Sequence, residues 1–95
     1  MKQISKGQVS IAGYFCTLYE AAYHNFNTAI VTEPAVAHLS INVEHVSLSK
    51  GEFVLHHDIG GTCRQDFMRT GYFEDTGRKA SYGFIKDQPI WRIKR

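Results

Sequence analysis

The sequence predicts an α+β fold: a small antiparallel β-sheet of four to six strands, with one main N-terminal helix and one short helix packed on it. Three observations lead there. Two glycine-containing turn strings, Lys50-Gly51 and Asp75-Thr76-Gly77-Arg78, are flanked by apolar alternation, the pattern of two hairpins. The stretch Thr62-Cys63-Arg64-Gln65 has the spacing of a capping box, and Gly71 follows as a helix stop. Residues 11–25 place Tyr14, Leu18, Ala21 and Ala22 near one helical face behind Ser10, a capping residue type.

Residues 1–9 are polar and form a lead-in or a short edge strand. The N-terminal helix is expected over 11–25, with Asn25 and Asn27 supplying its stop. A short strand over 29–32 ends at Pro34. Residues 37–48 are β-rich: Leu39, Ile41 and Val43 alternate, then the apolar phase shifts to Val46 and Leu48. A strand cannot change face without a bulge, so one is expected near Glu44–His45. The first hairpin then pairs Leu48 with Phe53, Val46 with Leu55 and Glu44 with His57 on one face. Its other face sets His45 across from His56.

The short helix runs over 63–70, with Thr62 as its cap. A C-terminal meander follows, with Glu74 opposite Lys79, Asp75 opposite Arg78 and Phe73 opposite Ala80. A further turn at Lys86-Asp87-Gln88-Pro89 brings Phe84 opposite Trp91 and Gly83 opposite Arg92.

A chain of 95 residues makes one domain, 1–95, large enough to bury a core without a disulfide or metal. Apolar residues at 43% and charged residues at 21% exclude extensive disorder. No stretch is long and apolar enough for a membrane span, and no clean signal peptide stands at the start, so a cytoplasmic protein is expected. Cys16 and Cys63 fit neither a redox pair nor a zinc ribbon, and each is expected to act as a small apolar residue.

Charge is uneven. From Arg64 onward the chain holds eight of its eleven Lys and Arg residues against four acids; the first 63 residues hold three cations and five acids. The basic and aromatic residues Arg78, Lys79, Tyr82, Trp91, Arg92 and Lys94 therefore form the candidate partner-binding surface. Cations beside aromatic rings suit either an acidic protein or single-stranded nucleic acid.

Other motifs carry less. His45 and His56 make a possible metal pair, but the derived register sends His57 to the opposite face beside Glu44, so no metal is expected. No paired carboxylates or activated thiol mark a catalytic site, so no enzyme and no cofactor are expected. The string Asp58-Ile59-Gly60-Gly61-Thr62 is similar to the first phosphate loop of sugar kinases in the actin-like ATPase superfamily. That fold needs a chain several times longer and further nucleotide motifs, so the similarity implies no ATPase here.

Together these readings predict a non-enzymatic protein-binding module. Its expected class is a small phage or mobile-element accessory protein that inhibits or adapts a larger host complex, of the anti-CRISPR or other anti-defence type. That expectation rests on the chain's size and its lack of catalytic motifs. The alternatives are a nucleic-acid-binding module using the same meander and a metal-binding protein using the His45/His56 hairpin. An uncovered edge strand would also permit a homodimer.

Overall fold

Aromatic and Thr side chains favour a pleated, half-buried surface over a helix, and residues 14–19 (Tyr-Phe-Cys-Thr-Leu-Tyr) follow that preference. The computed structural model describes all 95 residues and is mostly β, with 47% strand and 9% helix. This corrects the α+β expectation. The predicted N-terminal helix is instead a hairpin of β2 (Val9–Ile11) and β3 (Tyr14–Ala22). Ala12 and Gly13 form its tip with φ of 51° and 83°, the two positive angles that a tight hairpin turn demands. Gly13 is the residue that makes a helix here unfavourable.

β3 organises the first sheet. Along one edge it pairs with β1 (Lys2–Gln3) and then β2 in tandem; along the other it pairs with β4 (Thr28–Glu33). Between β1 and β2 the buried Ser5 spans the gap, its Oγ accepting from Leu18 N at 3.0 Å and donating to Gly7 O at 2.6 Å. Cys16 and Leu18 point into the core from one face, while Phe15, Thr17 and Tyr19 occupy the other. Neither face of β3 is strongly charged, so its period-2 signal is weak in the sequence.

The second sheet runs β5 (Ser40–Ile41), β6 (Glu52–Leu55), β8 (Ile85–Ile93), β7 (Phe73–Tyr82). Ile11, Cys16, Leu18 and Ile30 from the first sheet meet Phe53, Leu55, Phe73, Trp91 and Ile93 from the second, with Leu39 and Phe67, in one apolar core. A smaller cluster of Val43, Val54, Ala80 and Ile90 lies apart from it, with Val46, Leu48 and Tyr82 packed alongside. β6 contributes to both clusters, which is why Phe53, Val54 and Leu55 are all buried.

Two hydrogen bonds tie the sheets together. Ile30 N donates to Ser40 Oγ at 3.0 Å, and Gly51 N donates to Thr28 Oγ1 at 3.2 Å. The helix α1 (Gly61–Arg69) buries Phe67, and its Asp66 carboxylate accepts from Ala12 N at 2.8 Å, anchoring the β2–β3 tip.

Both predicted hairpins are corrected. The Lys50-Gly51 turn exists: Glu52 N donates to Ser49 O at 3.0 Å, and Gly51 has φ 85°. It does not close a hairpin. Leu55 pairs with Ser40 and Val54 with Ile41, while 42–48 leaves the sheet so that Val43, Val46 and Leu48 pack on the second cluster. The phase shift at Glu44–His45 is thus the mark of a departing chain and not of a bulge.

The Asp75–Arg78 string is the bulge. Asp75 pairs with Trp91 and Lys79 with Pro89, so Thr76, Gly77 and Arg78 stand against Ile90 alone. Thr76 Oγ1 donates to Ile90 O at 2.7 Å, and Gly77 takes φ 81°. Glycine serves a bulge for the same steric reason that it serves a turn. The true β7–β8 turn is Gly83-Phe84, between the paired Tyr82 and Ile85. Phe84, expected opposite Trp91, is fully exposed at this tip.

The short helix matches its predicted extent closely, and Gly71 (φ 81°) follows it as expected. Its cap is corrected: Gly60 is the N-cap residue and no side chain caps the helix, so Thr62 lies inside the first turn. No helix is long and apolar enough to cross a membrane.

Candidate functional site

The predicted basic surface is largely spent on holding the fold. Trp91 is 3% exposed and packs near Phe73 in the core, so it has no free face to stack on a partner. Arg92 Nε donates to Glu74 Oε1 at 2.8 Å. Arg78 pairs with Glu52, a carboxylate that is itself only 4% exposed. Burial pushes the Glu52 carboxyl up; its bonds to Arg78 and to Ser49 N, with the charges of Arg78 and Arg92, outweigh that and hold it below the usual carboxylate range. Arg95, beyond the predicted set, binds both oxygens of Glu20 at 2.9 Å. Tyr82 sends its hydroxyl to within 3.3 Å of His57 Nδ1. Of the six predicted residues, only Lys79 and Lys94 are exposed cations without an ion pair.

Arg78 and Arg92 both face solvent, yet reversing their charges would set each against its own carboxylate. At Arg78 the cost falls on the fold itself, because Glu52 is buried.

An unpredicted surface stands at the β2–β3 hairpin. Tyr14 and Phe15 are 68% and 66% exposed, and with Pro34, Ala35 and Val36 they line one open groove of about 360 Å³. β3 presents the two aromatics, and the turn after β4 presents the three smaller residues beside them. Single exposed apolar residues are ordinary, whereas these two line one groove. Phe26 and Phe84 are also exposed, each at the tip of a separate hairpin. In the sequence, Tyr14 and Phe15 look like core because the 11–25 stretch reads as an amphipathic helix. The available signal was β propensity over 14–19 behind a glycine turn.

The third cluster is a histidine corner at the end of β6. His45 is not across from His56; its Nε2 lies 3.1 Å from Ser81 O. Glu44 pairs with His24 at 2.9 Å and not with His57. His56 and His57, expected on opposite faces, stack with ring centroids 4.7 Å apart and planes at 16°. They follow the last paired residue of the strand, where alternation no longer applies. Burial, then the neighbouring charges of His57 and His38, lower the His56 pKa against the opposing pull of Asp58. Burial raises the Tyr82 pKa.

Cys16 is buried, and burial pushes its thiol up, which makes it a poor nucleophile. Cys63 is half-buried. No protein-family model, curated protein or solved structure matches the chain.

Proposed function

We propose that this chain is a non-enzymatic protein-binding module whose contact surface is the Tyr14–Phe15 groove. The observation that carries the reading is the adjacency of two largely exposed aromatic side chains to Pro34, Ala35 and Val36. Aromatic residues are enriched at protein interfaces because they bury large areas with few rotatable bonds. A fold of this size gains no packing from leaving them in water.

The mode proposed is occlusion: the module covers a surface of a larger complex and thereby inhibits or adapts it, as accessory and anti-defence proteins do. An open groove flanked by aromatics suits a convex apolar feature on such a partner. Nucleic acid is the weaker reading, since Arg78, Arg92 and Arg95 are each engaged by a carboxylate. A cytoplasmic setting is supported by two free cysteines, Cys16 and Cys63. A homodimer through the β7 edge is disfavoured by the Thr76–Arg78 bulge, since bulges bend exposed edges away from pairing.

The test is affinity capture with the wild type as bait, followed by a binding titration of the isolated partner. Tyr14→Ser with Phe15→Ser is expected to abolish binding while leaving the melting temperature unchanged. Binding that survives this double variant refutes the surface. A steep loss of affinity between low and moderate salt would transfer the reading to nucleic acid.

A further inference from the structure

His56, His57 and Asp58 occupy consecutive positions where β6 has just ended, and each offers a ligand atom within 4.8 Å of the others. His57 Nε2 and Asp58 Oδ1 are already 3.4 Å apart. The ring of His38 stands 6.0 Å from that of His56, and His38, His56 and Asp58 line a common groove of about 300 Å³. Two imidazoles and a carboxylate thus meet at one corner, and a third imidazole, His38 from a separate segment, stands beside His56.

We propose that this corner is a binding site for a zinc-type divalent transition-metal ion, with His56, His57 and Asp58 as primary ligands and His38 as the fourth donor. Imidazole nitrogen with one carboxylate oxygen suits a cation of borderline softness; calcium and magnesium want oxygen throughout. His56 Nδ1 accepts from Asp58 N at 3.0 Å, so this nitrogen carries no proton and a cation replaces one hydrogen bond. His57 Nδ1 is engaged with the Tyr82 hydroxyl at 3.3 Å, which leaves Nε2 for the metal. A ligating histidine commonly has its second nitrogen held in this way.

Zinc bonds of about 2.0–2.2 Å require ligand atoms to draw closer than they stand here. Asp58 is exposed, so its side chain can swing toward the two rings without disturbing the core. The stacked rings must also turn so that their nitrogens converge. The site is independent of the Tyr14–Phe15 surface: neither aromatic lines its groove.

The test uses the full chain without an affinity tag, stripped of metal, and follows the imidazole proton resonances during titration with Zn²⁺. Saturable shifts at one equivalent are expected for His38, His56 and His57, with His24 and His45 unmoved as internal controls. Cobalt(II) should give the intense visible bands of a four-coordinate site. His56→Gln with His57→Gln is expected to abolish both signals, and Tyr82→Phe to weaken binding by about 10-fold, the scale for a residue that orients a ligand. Uniform shifts across all five histidines, or no saturation, would overturn the site without reference to any variant. Movement of His56 and His57 with His38 unmoved would overturn the four-donor assignment.

Discussion

The first sheet leaves Tyr14 and Phe15 two-thirds in water, whereas the second buries Phe53, Phe73 and Trp91 and engages its arginines with carboxylates. The two regions began with opposite expectations: a core helix in the first, a basic aromatic contact surface in the second. A cluster of cations along the sequence says little about free charge until its carboxylates are located. Glu52 and Glu74 both stand across from Arg92 in the register, one on each neighbouring strand. Glu74 is the acid that pairs with it, and Glu52 is neutralised from the β7 bulge by Arg78. The second sheet therefore commits Arg78 and Arg92 to ion pairs, and the first leaves Tyr14 and Phe15 exposed.

The largest expected effect lies in the second sheet. Phe53→Ala should cost about 3–5 kcal/mol in chemical denaturation, the range for truncating a buried aromatic. Its ring lies 5.7 Å from that of Phe73 in an edge-on contact. The Tyr14→Ser, Phe15→Ser double variant should stay within about 0.5 kcal/mol of wild type. Similar losses in the two regions would erase the contrast between them.

Arg78→Ala comes next, at about 1–3 kcal/mol, the cost of leaving a buried acceptor without its charged partner. This loss depends on pH with a defined sign. The Glu52 pKa is depressed in the fold, so its contribution is fully present above the ordinary glutamate range and fades as pH falls through the folded value. Wild type and variant should therefore converge in stability at acid pH, and a gap that widens there would contradict the pairing.

Phe26→Asn should stabilise the protein by about 0.5–1 kcal/mol, because Phe26 sits at φ 70° and is almost wholly exposed. Asparagine tolerates this left-handed conformation better than a bulky ring. The smallest change is expected at Thr62→Ala, within about 0.5 kcal/mol, since its side chain caps nothing. Thermal melts resolve both.

How much of this was readable in the sequence follows from which signals are local. Gly71 as a helix stop, Pro34 as a strand end, the Ser49–Glu52 turn and the short helix each depend on neighbours in the chain, and each is found in the structure. The register did not follow, because Gly51 marks a turn without saying which strand receives the chain after it, and Gly77 serves a bulge as well as a tip. The 11–25 stretch reads as a helix because β3 carries apolar residues on both faces, which hides a period of two under an apparent period of 3.6. Tyr14 falls on the apolar face of the expected helix for that same reason, although it is exposed on β3. The His56–His57 stack was hidden by extending strand alternation two residues beyond the end of β6. Residue type alone marks Trp91 as a contact residue, although its alternation with Ile93 on β8 is what carries it into the core.

The most direct test of the contrast between the sheets compares two double variants of the full chain against one captured partner. Tyr14→Ser with Phe15→Ser removes the exposed aromatic pair of the first sheet; Lys79→Glu with Lys94→Glu reverses the two cations of the expected basic surface that have no ion pair. Affinity measured by titration calorimetry is expected to vanish in the first and to stay within a few-fold of wild type in the second, with both proteins folded by circular dichroism. Loss of binding in the lysine variant with retention in the aromatic one would contradict the account and return the contact surface to the C-terminal meander.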